Sequence, residues 1–356
     1  MAAATVAPAP EKTRKSLRAG EGRRGILLVA PTLVMLAVVI LYPLVRAVIQ
    51  SFQKDEGLNP ATGMFVQGGY AGLSNYSHWL LQQCAVAGGG TQPCPEGTLG
   101  SQFWGAFGIT VFWTVVSVGI EVILGLWFAT IMNREFRGRG LVRAAILVPW
   151  AIPTAVTAKL WFFIYAYDGV LNHILGFAGI PPQLWTSDTW PARMGVVIAD
   201  VWKTTPFMAL LILAGLQLIS KDVYEAAEVD GASRWQVFTQ ITLPLIKVPL
   251  MVAVLFRVLD VMRIFDLPYI MTGGANGTTS LSILVVKQIR QGFNSASALS
   301  TIVFIIIALT AFVFVKFLGA DVIQRPPGYT KRKWFRRKPP EASQSVEATP
   351  EGAEAA

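Results

Sequence analysis

Apolar residues gather in six stretches, about 26–50, 103–132, 141–165, 194–219, 241–262 and 298–319, with polar connections between them. Each is close to the roughly 20 residues that a helix needs to cross a hydrocarbon core, so six spanning helices are predicted. Lys12, Arg14, Lys15, Arg18, Arg23 and Arg24 precede the first stretch, as in a signal peptide. That stretch outlasts a signal h-region, however, and no small-residue cleavage site follows it, so it is read as a span. Pro149 and Pro153 are expected to kink the third.

Composition supports this reading, with 53% apolar residues, 14% charged and a mean hydropathy of +0.50, against roughly 25% charged in soluble domains. A net charge of +9 could signal nucleic acid, but its placement changes the meaning. With the N-terminus cytoplasmic, most of the 30 lysines and arginines fall in cytoplasmic segments, and only Lys54, Arg193, Arg263, Lys287 and Arg290 fall outside. Both termini are then cytoplasmic. The cluster Lys331–Lys338 reads as an anchor to anionic membrane lipid, with no nucleic-acid partner. Residues 1–20 and 339–356, rich in Ala, Pro, Glu and Ser, are predicted to be disordered. The organisation expected is a basic N-terminus over 1–24, a membrane domain over 25–320 and a cytoplasmic tail over 321–356.

Two cysteines and two histidines exclude a Cys- or His-rich metal centre, and no metal site is expected. No Gly-Lys dipeptide occurs, so the chain has no Walker A loop and any ATP must be held by another chain. Cys84 and Cys94 both fall in the outer connection 52–102, where a disulfide and two free thiols remain alternatives. Gly88, Gly89, Gly90, Pro93 and Pro95 are expected to break any regular element there.

The connection 220–240 is more specific. Residues 221–229 predict a short helix, Gly231 a sharp turn, and Ser233 with Gln236 a capping box opening a second helix. Trp235, Phe238 and Ile241 fall near one face of that helix. Without further information this is an amphipathic connection at the membrane surface.

Ionisable residues within spans cost about 2.5–3.5 kcal/mol each on insertion scales. Asp200, Lys203, Arg257 and Asp260 therefore stand out in the fourth and fifth spans. Arg257 and Asp260, three apart on one helical face, fit either a structural ion pair or fixed partners for substrate hydroxyls. Glu121 and Lys159 could pair with each other or with a second chain, whereas Arg46, Lys247 and Lys316 near span ends can snorkel. Trp104, Trp113, Trp127, Trp150 and Trp161 are assigned to packing or interface belts.

Glu225-Ala226-Ala227, Asp230-Gly231-Ala232 and the later Leu243-Pro244 resemble the E-A-A-x-x-D-G-A signature of ABC importer permeases. The segments Gly72-Leu73-Ser74-Asn75-Tyr76, Gly169-Val170-Leu171-Asn172 and Thr272-Gly273-Gly274 resemble the carbohydrate permeases of the maltose and glycerol-phosphate group. The runs 201–208 and 255–266 look most like trehalose- or maltose-type disaccharide permeases, although the Gly/Cys/Pro segment 82–100 departs from that pattern.

The resemblance implies an all-α integral membrane protein with six transmembrane helices, a type I ABC importer transmembrane domain with a cytoplasmic coupling helix. It implies a multi-pass protein of the cell membrane that is a transport subunit and no enzyme, binding no cofactor itself. The implied partners are a second, homologous permease, a dimer of ATPase subunits that holds ATP and Mg, and an external sugar-binding lipoprotein. It assigns Glu225, Ala226, Ala227, Asp230, Gly231, Ala232 and Pro244 to ATPase coupling. By position it carries sugar contact to Lys203, Thr204, Phe207, Arg257, Asp260, Val261 and Ile264. Another ABC substrate such as glycerol phosphate is an alternative. An ion-gradient transporter would want inverted repeats and midplane carboxylates, and no repeat is visible between the halves. An intramembrane enzyme would want a nucleophilic or metal set within the spans.

Overall fold

The first predicted span forms one helix in this computed structural model, α1 (Gly25–Gln50), with a π-helical turn over Ala37–Leu41. The structure describes residues 25–58, 63–86 and 90–317. The expectations for the two chain ends and for Gly88 and Gly89 lie outside the described residues. Residues 25–41 of α1 are almost wholly exposed, and its second half packs on the last membrane helix.

The described part of the connection 52–102 is more ordered than its glycines and prolines predict. Strands β1 (Gly57–Leu58) and β2 (Phe65–Val66) pair antiparallel. After them come α2 (Ser74–Leu80) and the hairpin β3 (Gln83–Ala85) with β4 (Thr91–Pro93), in which Pro93 pairs with Gln83. Cys84 and Cys94 are bonded to each other, with sulfurs 2.04 Å apart. The disulfide closes the hairpin, and Gly100 lies so near it that a Cβ there would sit 2.7 Å from Cys94 Sγ. Burial holds the His78 ring below its usual pKa, and its Nδ1 lies 2.8 Å from the Gln83 carbonyl.

Among the described residues the membrane part has four straight helices and two bent pairs. The second span is α3 (Phe103–Asn133). The third is a correction to the single kinked helix expected over 141–165. It consists of α4 (Arg139–Ala151) and α5 (Thr154–Ile164), bent 91° apart. Pro153 has no N–H to continue the ladder and drives the preceding Ile152 into extended backbone. The short helix α6 (Val170–Phe177) leads to the fourth span, α7 (Thr189–Leu216).

The connection after the fourth span holds α8 (Lys221–Val229) and α9 (Arg234–Leu245), the latter π-helical over Val237–Thr242. The fifth span is also corrected, because residues 241–245 belong to α9 and α10 (Lys247–Val261) leaves it at 68°. At 15 residues, α10 is shorter than a straight crossing. Then come α11 (Asp266–Thr272), α12 (Leu281–Ile289) and α13 (Phe293–Phe317).

Helices α3 and α7 form the central seam, and α10 packs against both. Trp113, Met208, Ile212, Val258 and Val261 are buried there. A Cβ on Gly125 would stand 2.7 Å from Met208 Cγ, and one on Gly215 would stand 2.6 Å from Pro249 Cβ, so two missing side chains set how closely these helices approach.

Side-chain fasteners hold several helix ends and loops together. Asn75 donates to the carbonyls of Ser51 (2.9 Å) and Gln53 (2.8 Å). Asn172 donates to Tyr167 and Gln183 and accepts from Gln183 N and Trp185 Nε1, which uses its full capacity. Asp55 accepts from the backbone N–H groups of Asn294 (2.5 Å) and Ser295 (2.9 Å) at the start of α13, and Trp79 Nε1 donates to the Ser295 carbonyl. A carboxylate at that end satisfies free N–H groups and faces the positive end of the helix dipole.

Gly125→Leu is expected to overpack the α3/α7 seam and cost about 1–3 kcal/mol. The readout is a lower thermal midpoint of the detergent-solubilised protein. Gly119→Leu, where a Cβ meets nothing within 4 Å, should leave the midpoint in place.

Candidate functional site

Asp200, Lys203, Thr204 and Phe207 recur at i, i+3, i+4 and i+7 and so form one stripe along α7. The stripe has two kinds of neighbour. On one side Asp200 and Thr204 meet α3 and α10 through a cluster of charges. On the other, Lys203 and Phe207 meet the bend between α4 and α5.

Arg257 of α10 centres the charge cluster. Its Nε donates to Glu121 Oε2 (2.6 Å), its Nη2 to Glu121 Oε1 (2.7 Å) and Asp200 Oδ2 (2.8 Å), and its Nη1 to Asp260. Four of the guanidinium's five N–H groups are thus engaged. The hydroxyl of Thr204 lies 2.7 Å from Glu121 Oε1 and 2.6 Å from the Asp200 carbonyl, and its single proton serves one of them at a time. Glu121 and Arg257 are almost wholly enclosed, whereas the Asp260 side chain is 63% exposed. The structural reading of Arg257 and Asp260 as an ion pair on one helical face therefore holds. Arg257 is a buried structural centre, and it presents Asp260 at the surface.

Toward the bend, Lys203 Nζ donates to the Ile152 carbonyl at 2.5 Å, and the Phe207 ring stacks on Trp150 with centroids 5.8 Å apart and planes at 21°. Lys203, Thr204, Phe207 and Ile264 are half-buried and Asp260 is exposed. Val261 is only 1% exposed and belongs to the core, so its side chain is not open to a passing molecule.

The sequence offered Lys159 or a second chain as partner for Glu121 and missed the one it has. Glu121 pairs with Arg257 from a different helix, while Lys159 lies exposed with its ammonium 5.4 Å from the Phe162 ring centroid. The available signal was its position inside a span. The missing information was that α3 and α10 touch.

In the connection after α7, Ser220 caps α8 by accepting from Asp222 N, and Gly231 takes φ +75°, where Ala232 N returns to the Ala227 carbonyl. Ser233 and Gln236 form the reciprocal capping box. Ala227 is buried, whereas Glu225, Ala226 and Asp230 are exposed, with Val229 and Trp235 open beside them. Lys221 donates to Glu135 at 2.8 Å, tying α8 to the connection after α3. Lys221 holds the Glu135 carboxyl below its usual pKa by hydrogen bonding and charge, so this exposed link persists above the carboxylate range and is lost as pH falls through the lowered value.

A separate cleft of about 630 Å³ opens between the start of α3, Arg193 of α7, the turn 274–279 and Lys287 of α12. It shares no residue with the stripe.

Residues 121–324 match the family model described as "binding-protein-dependent transport system inner membrane component". The chain is 38% identical over 304 residues to the trehalose/maltose transport system permease protein MalF of Thermococcus litoralis, an alignment covering 84% of this chain and 95% of that one. It is 39% identical over 311 residues to the trehalose transport system permease protein SugA of Mycobacterium tuberculosis, covering 86% and 92%. A chain from a bacterial ABC transporter that imports the acidic polysaccharide alginate superposes with a TM-score of 0.65 at 21% identity, covering 88% of this chain and all of that one. The last comparison establishes a shared fold.

Arg257→Met strands Glu121 and Asp200 without a counter-charge and is expected to cost about 3–5 kcal/mol. Glu121→Gln keeps shape and an acceptor and should cost distinctly less. Unfolding midpoints of the two purified variants decide this, and equal losses would mean that shape rather than charge governs the site.

Proposed function

The chain belongs to the family of binding-protein-dependent transport system inner membrane components, and on that premise we propose that its cargo is a trehalose- or maltose-type disaccharide passing along the α7 stripe. It is a membrane subunit of an ABC importer and not an enzyme. The observation that carries the substrate reading is the exposed Asp260 carboxylate, held at the surface by the buried Arg257 guanidinium. A sugar presents hydroxyl groups to carboxylate and ammonium and an apolar face to a ring, and Asp260, Lys203, Thr204 and Phe207 supply these groups. The relatives named for trehalose and maltose transport point the same way. Asp260 would repel a phosphate dianion, which disfavours glycerol phosphate.

Residues 25–320 form the transport domain, and both termini lie in the cytoplasm. This orientation places the 220–240 connection inside and the Cys84–Cys94 hairpin in the oxidising space outside. Exposed Glu225, Ala226 and Asp230, with Gly231, Ala232 and Pro244 shaping the turns, form the surface on which a separate ATPase dimer docks. Small alanines admit a close-packed groove, and Glu225 offers a charge-assisted hydrogen bond. ATP and Mg reside on those subunits. The external binding protein delivers the sugar on the side of the 630 Å³ cleft, and a second, homologous permease completes the passage.

The test is uptake of radiolabelled disaccharide into proteoliposomes holding this chain, its permease partner and the ATPase, with binding protein present. Glu225→Ala and Gly231→Pro should leave ATP hydrolysis no longer driving uptake, and Asp260→Ala should lower uptake roughly tenfold, the value of about one lost charged hydrogen bond. Uptake that persists without the ATPase would sink the coupling assignment. Full uptake by Asp260→Ala would remove Asp260 from the passage.

A further inference from the structure

Trp150 sits one turn before the break at Ile152–Pro153, in the elbow between α4 and α5. A break in the helical ladder at membrane depth cannot face lipid, because the freed carbonyls would go unpaired, and it is tolerated where it lines a polar cavity or is buried in protein. Here the Ile152 carbonyl receives the Lys203 ammonium at 2.5 Å. One turn further along α7, Phe207 stacks on the Trp150 indole. The elbow is therefore fastened at two points to the face of α7 that carries the polar stripe. Trp150 remains 48% exposed, and its indole N–H makes no hydrogen bond among the described residues.

We propose that Trp150 is a substrate-contacting residue of the passage, forming with Phe207 an aromatic platform for the C–H face of a pyranose ring. The inference rests on the sugar reading above and adds a wall to it, since the α4–α5 elbow lies outside the two spans to which the resemblance assigns contacts. A pyranose has an apolar face edged by hydroxyls. An indole plane with a free N–H at its edge and an ammonium on the neighbouring helix turn matches both features. The platform favours sugars whose C–H face is unbroken, as in glucose-configured units, over those with an axial hydroxyl projecting from it.

The experiment uses the full transporter in proteoliposomes with its binding protein, comparing Trp150→Leu and Trp150→Phe. Leucine keeps an apolar side chain without a ring, and phenylalanine keeps the ring. Expected results are a fall in disaccharide uptake per assembled complex of roughly five- to tenfold for Trp150→Leu, recovered to within about twofold by Trp150→Phe, with basal ATP hydrolysis retained in both. Uptake per complex unchanged in Trp150→Leu overturns the proposal, as does a loss of thermal stability shared by both variants without a difference in uptake. Absence of disaccharide uptake by the unmodified transporter would instead refute the substrate reading on which the platform stands.

Discussion

A single guanidinium placed where three helices meet governs this membrane domain. Arg257 binds Glu121 and Asp200 inside the protein and Asp260 at its edge, joining α10 to α3 and α7. Burying such charges is expensive, and the expense is offset only when almost every donor and acceptor is engaged. The three helices satisfy that requirement because Gly125 lets α3 approach α7 closely and Gly215 lets α7 approach α10. Apolar packing alone would tolerate sliding of one helix past another. A fork of directed hydrogen bonds does not, and it fixes the rotation of α10 and hence the direction in which Asp260 points.

Two broken helices frame that rigid centre. The elbow at Pro153 and the 68° bend before Lys247 lie on either side of α7 in sequence, and each is tied to it by a specific contact, Lys203 to Ile152 and Pro249 to Gly215. Charge cluster and bent flanks together give a membrane domain whose polar stripe is held by directed bonds while its borders contain the backbone breaks.

Much of this was legible in the sequence. The four straight helices follow from apolar length alone, and the turn at Gly231 and the Ser233–Gln236 box follow from local chemistry that needs no tertiary partner. What escaped was of a different kind. Glu121 and Arg257 are 136 residues apart, and hydropathy carries no information on which spans touch. The ordered hairpin at Cys84–Cys94 escaped because glycine and proline content describes backbone freedom, not the cross-strand bonds and disulfide that remove it. Pro153 marked a disturbance in the third span without giving its size. Phe207 was legible as a contact, but its stacking partner Trp150 was not, because an isolated tryptophan in a span reads equally as lipid belt. Asn75 and Asn172 marked a resemblance in the sequence, and the structure shows them to be fasteners of turns between helices.

Asp55, just after α1, caps the last membrane helix through the N–H groups of Asn294 and Ser295, some 240 residues later. The segment after the first described helix is thereby fastened to the start of the last described one. During synthesis α1 enters the membrane long before its partner exists, and its exposed first half offers no earlier packing site within the chain. The contact of Asp55 with α13 can therefore form only after α13 has been synthesised.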